Sequence, residues 1–209
     1  MTRPCQDLGD IVEVSRETLA RLHRYAELLC HWQKSINLVS RNTLDQIWVR
    51  HFQDSAQLAA LAPKTATLWL DLGSGAGFPG LVLAILGVGH VHLMESDGRK
   101  CVFLREVIRE TAAPATVHHG RIESLPPMRT DVITARALAP LTALVPLAAR
   151  HATADTVALF PKGRQSAREL QDLDVWAIES GISMNFRVES LASRVDGEGV
   201  IIRLRGLAP

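Results

Sequence analysis

The chain of 209 residues lacks any long uninterrupted hydrophobic run. Its longest apolar stretch, from Leu81 to Leu93, is broken by glycines and histidines, which excludes a membrane-spanning helix there. The segment Met1 to Asp10 contains acidic side chains and no apolar core, so we expect no secretory signal. Together these absences predict a cytoplasmic protein that has no membrane partner.

Cysteine is also scarce, and its few positions are irregular. Cys5, Cys30 and Cys101 are odd in number and lack the spacing of metal ligands. We therefore expect reduced cytosolic thiols and no bound metal.

Neither sign of charge dominates the composition. The 23 lysines and arginines oppose 22 acids, so the net charge of +1 does not by itself indicate a nucleic-acid binder. A local basic excess does lie between Arg121 and Arg168. That stretch fits contact with phosphates, and it fits an ordinary solvated surface equally well.

The first sixty residues have the periodicity of helices. Apolar residues recur at steps of three and four between Ser15 and Gln33, which predicts an amphipathic helix. A second helix is predicted from Leu44 to Ala60, with Asn42 or Thr43 as its N-cap. We expect residues 1–62 to form a helical extension and residues 63–209 to form the main domain.

From residue 67 onward, predicted strands and helices alternate, as in a parallel sheet covered on both faces. The C-terminal segments Met184 to Leu191 and Val200 to Leu204 flank a glycine-containing turn, which predicts an antiparallel hairpin. The predicted parallel strands are 67–72, 90–95, 115–119, 131–135 and 155–160, and the helices are 79–87, 98–111, 139–152 and 165–180. This arrangement is typical of the α/β, Rossmann-like class I methyltransferase fold, with a seven-stranded, mostly parallel sheet.

A glycine-rich turn joins the first of these strands to its helix. Asp71 ends the strand, Gly73, Gly75 and Gly77 alternate after it, and Pro79 suits a first helical turn. The pattern predicts a nucleotide-type cofactor site at the carboxyl end of the strand. Gly75, Gly77 and Gly80 also satisfy the dinucleotide fingerprint, and Glu95 lies twenty residues after Gly75. A nicotinamide cofactor therefore stays an alternative.

Four positions lie at the ends of strands or just after them, at the same edge of the sheet. Asp71 is suited to accept a hydrogen bond from a cofactor ammonium group, and Glu95 from the two hydroxyls of a ribose. Ile122, in the loop after the third strand, is placed to lie against a base. Arg136 ends the fourth strand among alanines, where its guanidinium can contact cofactor, phosphate or a guanine edge.

Missing motifs narrow the chemistry. Enzymes that methylate amines of bases carry an Asn/Asp-Pro-Pro-aromatic tetrad after the fourth strand, where this chain has Ala135 to Leu138. Cytosine-C5 methylation needs a thiolate, and Cys5 lies outside the predicted site. His51, Asp54 and Ser55 cannot form a hydrolytic relay from one helix. The predicted chemistry is direct methyl transfer to an atom that is already nucleophilic.

Several separate segments, taken in order, resemble the ribosomal RNA small subunit methyltransferase G family, also called glucose-inhibited division protein B. They are Trp32 with Ile36-Asn37-Leu38, Arg50 to Ser55, Asp71 to Gly80, Glu95-Ser96 with Lys100 and Phe103-Leu104, Arg121-Ile122-Glu123, Arg136-Ala137 and Lys162-Gly163. The ending Phe78-Pro79-Gly80 is more specific than the alternate glycines. Ala135 departs from the serine that is common in the family at that place.

The resemblance implies methyl transfer from S-adenosylmethionine to N7 of guanine 527, in the decoding-region loop of 16S ribosomal RNA, with S-adenosylhomocysteine as product. By position, the cofactor-binding residues would be Gly73, Phe78, Ile122, Glu123 and Arg136, supported by Asp71, Gly75 and Glu95. Guanine N7 has a free lone pair and no proton, so no catalytic residue is expected. Arg136 is the closest candidate for one.

The partner implied is 16S ribosomal RNA or the small ribosomal subunit, and we expect a monomer. The side chains expected to hold the RNA are Asn37, Arg41, His51, Lys162 and Arg164. Two other functions stay open. One is a class I methyltransferase acting on a protein or small molecule, favoured by the near-neutral charge. The other is a non-catalytic dinucleotide-binding sensor, favoured by the glycine fingerprint.

Overall fold

A single mixed sheet of seven strands organises the chain, whose computed structural model describes residues 7–179 and 186–207. The strands are β1 (Leu68–Leu72), β2 (His90–Glu95), β3 (Ala115–His119), β4 (Val132–Ala135), β5 (Val157–Lys162), β6 (Arg187–Ala192) and β7 (Val200–Arg205). Their spatial order is β3-β2-β1-β4-β5-β7-β6. β1 to β5 are parallel, and β7 pairs antiparallel with both β5 and β6. This sheet confirms the predicted fold class.

The order places a switch point at β1. The chain runs outward through β2 and β3 on one side of β1, and then returns to β4 on the other side. In such sheets the connections on the two sides diverge, which opens a crevice at the carboxyl ends of the strands.

Helices cover both faces of the sheet. They are α1 (Arg16–Trp32), α2 (Asp54–Ala56), α3 (Gly80–Leu86), α4 (Gly98–Thr111), α5 (Leu141–Ala149) and α6 (Ser166–Glu179). Alternate strand residues supply two buried clusters, because successive side chains of a strand point to opposite faces. Trp69 packs in one cluster with α1, α3 and α4, and Leu70 packs in the other with α5 and α6.

The prediction of one continuous helix from Leu44 to Ala60 is wrong. We call the observed stretch Arg41–Leu61 the helical segment. It consists of a 3₁₀ turn (Arg41–Gln46), a π turn (Trp48–Gln53), α2 and a second 3₁₀ turn (Gln57–Leu61). The apolar spacing predicts a helix but does not fix its hydrogen-bond register. Here the π turn buries Trp48, His51 and Phe52 together.

The residues before position 62 share a buried cluster with the sheet. Leu22, Tyr25 and Phe52 belong to the same cluster as Trp69 and Phe103. The division of the chain at residue 62 stays a prediction. Among the described residues, no helix is both long and apolar enough to cross a membrane. The predicted hairpin strand starting at Met184 begins outside the described residues, and its described part starts at Arg187.

Candidate active site

A cleft of about 1100 Å³ lies at the carboxyl ends of the strands, between the sheet and the helical segment. Its volume exceeds the range of roughly 300–1,000 Å³ that is usual for one small ligand, so a cofactor and part of a second molecule fit together. Nine of the predicted site residues line it: His51, Gly73, Gly75, Phe78, Glu95, Ile122, Glu123, Arg136 and Lys162. Asp71, Asn37, Arg41 and Arg164 do not line it.

The glycine-rich loop forms one wall of the cleft. Gly75 has φ +57°, and a Cβ built there would meet only the Gly73 carbonyl oxygen, 3.8 Å away. That empty side of the loop is a cradle which a side chain would fill. Gly77 has φ +92°, and its Cβ would come within 2.7 Å of Tyr25 Oη and 2.5 Å of Leu81 Cδ1. The loop therefore faces open space at Gly75 and packed side chains at Gly77.

Glu95 is held in place by the same loop. Its Oε2 accepts a hydrogen bond from Gly75 N at 2.7 Å, and its Oε1 accepts one from Asp97 N at 2.8 Å. An ionised carboxylate has about four acceptor positions, so two are left for ligand hydroxyls. The side chain lines the cleft although only 7% of the residue is exposed.

Asp71 lies beneath the loop and not in the cleft. The residue is completely buried, and its Oδ1 accepts a hydrogen bond from Thr134 Oγ1 at 2.8 Å. Burial raises the pKa of Asp71 to about 6, against the opposing effect of its hydrogen bonds. The structure does not place this carboxyl within reach of a ligand in the cleft, since the loop that the strand leads into covers it.

The wall of the cleft beside the end of β3 is largely apolar. The 3₁₀ turn Ile122–Ser124 follows β3 and brings Ile122 to the cleft, where Met94 and Leu138 also lie. Glu123 is exposed at the rim beside them. Together they form a surface suited to the faces of a planar base.

The Phe78 side chain packs the glycine-rich loop against α1 and the helical segment. Its ring stacks on His51 at 5.0 Å and on Tyr25 at 5.2 Å between centroids, and it meets Phe52 edge-on at 5.3 Å. Tyr25 Oη also donates a short hydrogen bond to the Ala76 carbonyl. Sequence reasoning missed Tyr25, because only the fold brings α1 against a loop 51 residues further on.

Arg136 bridges the sheet to the helical segment. Its Nη2 donates to His51 Nδ1 at 2.8 Å, and its Nη1 donates to the Arg50 carbonyl and to Asp54 Oδ2, both at 3.2 Å. The guanidinium carbon also lies 5.1 Å from the centroid of the Phe78 ring. The residue lines the cleft, but most of its donors are already engaged within the chain.

His51 is neutral in this arrangement. Burial, together with the smaller effect of the nearby charge of Arg136, lowers its pKa to about 3. Since a guanidinium can only donate, Nδ1 is the acceptor and Nε2 carries the proton. Nε2 then donates to Thr43 Oγ1 at 2.9 Å, and that hydroxyl donates to the Ser40 carbonyl at 2.7 Å. The tautomer is fixed by its neighbours on both sides.

Two of the predicted RNA-binding cations are paired within the chain. Lys162 Nζ donates to Glu169 Oε2 at 2.7 Å and to the Ala139 carbonyl at 2.8 Å, and its side chain is only 9% exposed. Arg164 is exposed and pairs with Glu198. These pairings could not be predicted from the sequence, because each acid comes from a separate element.

Asn37 and Arg41 are not brought to the cleft itself. They line a neighbouring cavity of about 740 Å³, formed by the loop that follows α1. Leu38, Val39 and Ser40 line both spaces, so the two are adjacent.

Comparisons with known proteins show sequence similarity to one family. A family model described as rRNA small subunit methyltransferase G matches residues 18–194. The protein named ribosomal RNA small subunit methyltransferase G from Rhodospirillum centenum is 56% identical over 197 residues, covering 94% of this chain and 88% of that one.

Solved structures that match share the fold at low identity. A putative O-methyltransferase from Klebsiella pneumoniae superposes with a TM-score of 0.62 at 16% identity, covering 97% of this chain and 94% of that one. TYW2 of M. jannaschii, solved in complex with AdoMet, gives a TM-score of 0.57 at 12% identity, with 82% and 78% covered. The sequence matches go further, and the chain belongs to the ribosomal RNA small subunit methyltransferase G family.

Proposed function

We propose that this chain transfers a methyl group from S-adenosylmethionine to N7 of guanine 527 in 16S ribosomal RNA. The observation that carries the proposal is the family match over residues 18–194, which spans both the helical segment and the cleft. The relatives named as ribosomal RNA small subunit methyltransferase G match nearly the whole chain.

The cleft fits the cofactor. Gly75 leaves a cradle for a close ligand, the Glu95 carboxylate is oriented to accept from ribose hydroxyls, and Ile122 offers an apolar face to adenine. We assign Gly73, Phe78 and Glu123 to the same binding surface. Bound there, S-adenosylmethionine would supply an electrophilic methyl group. Asp71 acts indirectly, by supporting the loop from below.

The residues around the cleft have little proton transfer to perform. Guanine N7 offers an in-plane lone pair and carries no proton, so attack on the methyl group needs no general base. His51 agrees with this, because its Nδ1 already accepts from Arg136 and its pKa lies far below neutrality. The walls of the cleft align the reactants and exclude water, and such alignment can contribute roughly 7–11 kcal/mol.

Arg136 is the residue closest to a catalytic role. We propose that it fixes the wall of the helical segment on the substrate side, through Arg50, His51 and Asp54. The same three contacts predict that Arg136→Ala loosens this wall and weakens ligand binding.

Labelled methyl transfer tests the function directly. The full chain is incubated with methyl-labelled S-adenosylmethionine and with small subunits, or 16S ribosomal RNA, that lack the modification. Chain scission at N7-methylguanine then locates the mark, and we expect a single site at guanine 527. Label found only in protein or small molecules would overturn the RNA assignment. Saturable NAD binding without S-adenosylhomocysteine binding would instead favour the dinucleotide sensor.

A further inference from the structure

The cavity beside the cleft, which we call the loop cavity, has a distinct chemistry. It measures about 740 Å³ and is formed by residues 33–41, between α1 and the helical segment, with Lys100 from the start of α4. Lys34, Arg41 and Lys100 all line it, and none of its lining residues is acidic. Lys100 lines the cleft as well.

The cations of the loop cavity differ from four other cations around the cleft. Arg50 pairs with Asp196 at 2.9 Å, and Arg136, Lys162 and Arg164 each pair with an acid of this chain. Within the described ranges, the side chains of Lys34, Arg41 and Lys100 have no ion pair or hydrogen bond. Three uncompensated positive charges around one polar cavity indicate an anionic ligand.

The loop that carries two of these cations is fixed by a single side chain. Gln33 Oε1 accepts hydrogen bonds from Leu38 N at 2.9 Å and Val39 N at 3.0 Å, and its Nε2 donates to the Val39 carbonyl at 2.9 Å. The backbone between Lys34 and Arg41 is therefore held in shape before any ligand arrives. Less conformational freedom is lost on binding to a site that is ordered in advance.

We propose that the loop cavity binds the phosphates of the RNA strand next to the guanine that enters the cleft, an assignment that rests on the proposed function. A base that reacts inside an enclosed cleft must leave its stack, so the strand beside it has to cross the rim. Proteins follow such single strands with positively charged grooves. The loop cavity adjoins the cleft through Leu38, Val39 and Ser40, and its serine and asparagine side chains add phosphate donors. The substrate strand thus leaves the cleft on the α1 side, and not past Lys162 and Arg164.

The test is the salt dependence of binding in a variant that carries Lys34→Gln, Arg41→Gln and Lys100→Gln. Each phosphate contact on a single strand contributes about 0.7 to the slope of log affinity against log salt, so three lost contacts should reduce it by about 2. If affinities converge near 1 M salt, binding at 0.1 M should weaken about 100-fold. We expect the melting temperature to match that of the unmodified chain. S-adenosylhomocysteine affinity should be unchanged in the double variant Lys34→Gln with Arg41→Gln, which leaves Lys100 at the cleft as it is.

The control for loss of a surface charge away from the cleft is Lys64→Gln. Lys64 is an exposed lysine that precedes β1, at the opposite edge of the sheet from the cleft, and the substitution removes one charge of the same kind. Its slope and affinity should equal those of the unmodified chain. Binding is measured with a decoding-loop RNA fragment and with small subunits that lack the mark.

The outcomes separate the two proposals. If the unmodified chain methylates no RNA, the proposed function fails. If the unmodified chain methylates RNA but the triple variant keeps the original salt slope, the assignment of phosphates to the loop cavity fails, whether or not the variant binds more weakly. The proposed function then still stands. A slope that changes with subunits but not with free RNA would identify an acidic ribosomal protein as the ligand, and would also overturn the assignment.

Discussion

The two faces of the glycine-rich loop make opposite demands on the same short sequence. On the cleft face, Gly75 meets nothing closer than 3.8 Å and Glu95 keeps acceptor positions for a ligand. On the helix face, Gly77 is enclosed by Tyr25 and Leu81, and Phe78, which also borders the cleft, stacks on Tyr25 and His51. The cleft face therefore serves ligand binding, and the packing on the helix face serves the stability of the fold. Substitutions should therefore divide cleanly between the two.

The largest effect should come from Gly77→Ala, with Gly75→Ala as its pair. Both positions have positive φ, which costs a side chain about 1–2 kcal/mol. Gly77 adds overpacking against Leu81 and Tyr25, so we expect a total loss of about 3 kcal/mol in the free energy of unfolding. Gly75→Ala should lose about 1 kcal/mol but bind S-adenosylhomocysteine more weakly, because its Cβ enters the cleft. Urea unfolding and calorimetric titration measure both quantities. Equal destabilisation at the two positions would contradict the comparison.

The second-largest effect should be a loss of folding stability at acidic pH, caused by protonation of His51 on the helix face. Its pKa of about 3 in the folded chain lies below the ordinary value of 6.5, so the unfolded chain binds the proton more readily. Stability is therefore lost as the pH falls from about 6.5 towards 3, by roughly 2 kcal/mol at pH 5.

The variant His51→Gln isolates this contribution, because it keeps a polar side chain that does not titrate. Its unfolding free energy should depend less steeply on pH between 6.5 and 5 than that of the unmodified chain. His92, His118 and His151, whose pKa values burial also lowers, are present in both chains and cancel in the difference. Parallel pH profiles for the two chains would show that His51 is not the group responsible.

Tyr25→Phe should have a somewhat smaller effect. The ring and its stacking on Phe78 are kept, but the Ala76 carbonyl loses its donor in a buried place. An acceptor left without a partner costs about 1–3 kcal/mol, and we expect a value in the lower half of that range. Thermal unfolding measures it. The same substitution should leave the RNA salt slope untouched, since the hydroxyl does not reach the loop cavity.

The smallest change in stability should follow Glu95→Gln. The amide oxygen still accepts one backbone hydrogen bond, and the amide nitrogen leaves the other N–H without an acceptor. Because both hydrogen bonds are only partly buried, we expect about 1 kcal/mol of destabilisation. Binding of S-adenosylhomocysteine should nevertheless fall at least tenfold, because a neutral amide is the weaker acceptor for ribose hydroxyls. Isothermal titration checks this. A large loss of stability with unchanged affinity for S-adenosylhomocysteine would contradict the assignment of Glu95 to ligand binding.

The sequence predicted most of the sheet, because strand patterns are local. The bounds 90–95, 115–119 and 98–111 agree with β2, β3 and α4 to the residue. Register within the helical segment could not be predicted, since 3₁₀, α and π turns share similar apolar spacing. Contacts between distant elements were equally hidden. The partners of Tyr25 and Lys162 are a backbone carbonyl and an acid that only the folded chain brings near.

Asp71 illustrates a different limit. A carboxyl at the end of a strand predicts nearness to the cofactor, and the loop above it does line the cleft. The prediction could not include how deeply the Asp71 side chain is buried, because the sequence does not show whether the following turn will cover the end of the strand. Glu95, at the same edge one strand away, lines the cleft where Asp71 does not.

The π turn from Trp48 to Gln53 constrains how this chain can vary in length. A π turn holds one residue more per hydrogen-bonded ring than an α turn, so a single deletion there would restore ordinary α-helical winding. Everything beyond the deletion would then rotate by about 100° relative to what precedes it, the angle of one α-helical residue. His51 could not face Arg136 while Trp48 stayed buried. Substitutions in this stretch are thus easier to accommodate than insertions or deletions, and residue count here acts as a functional property in its own right.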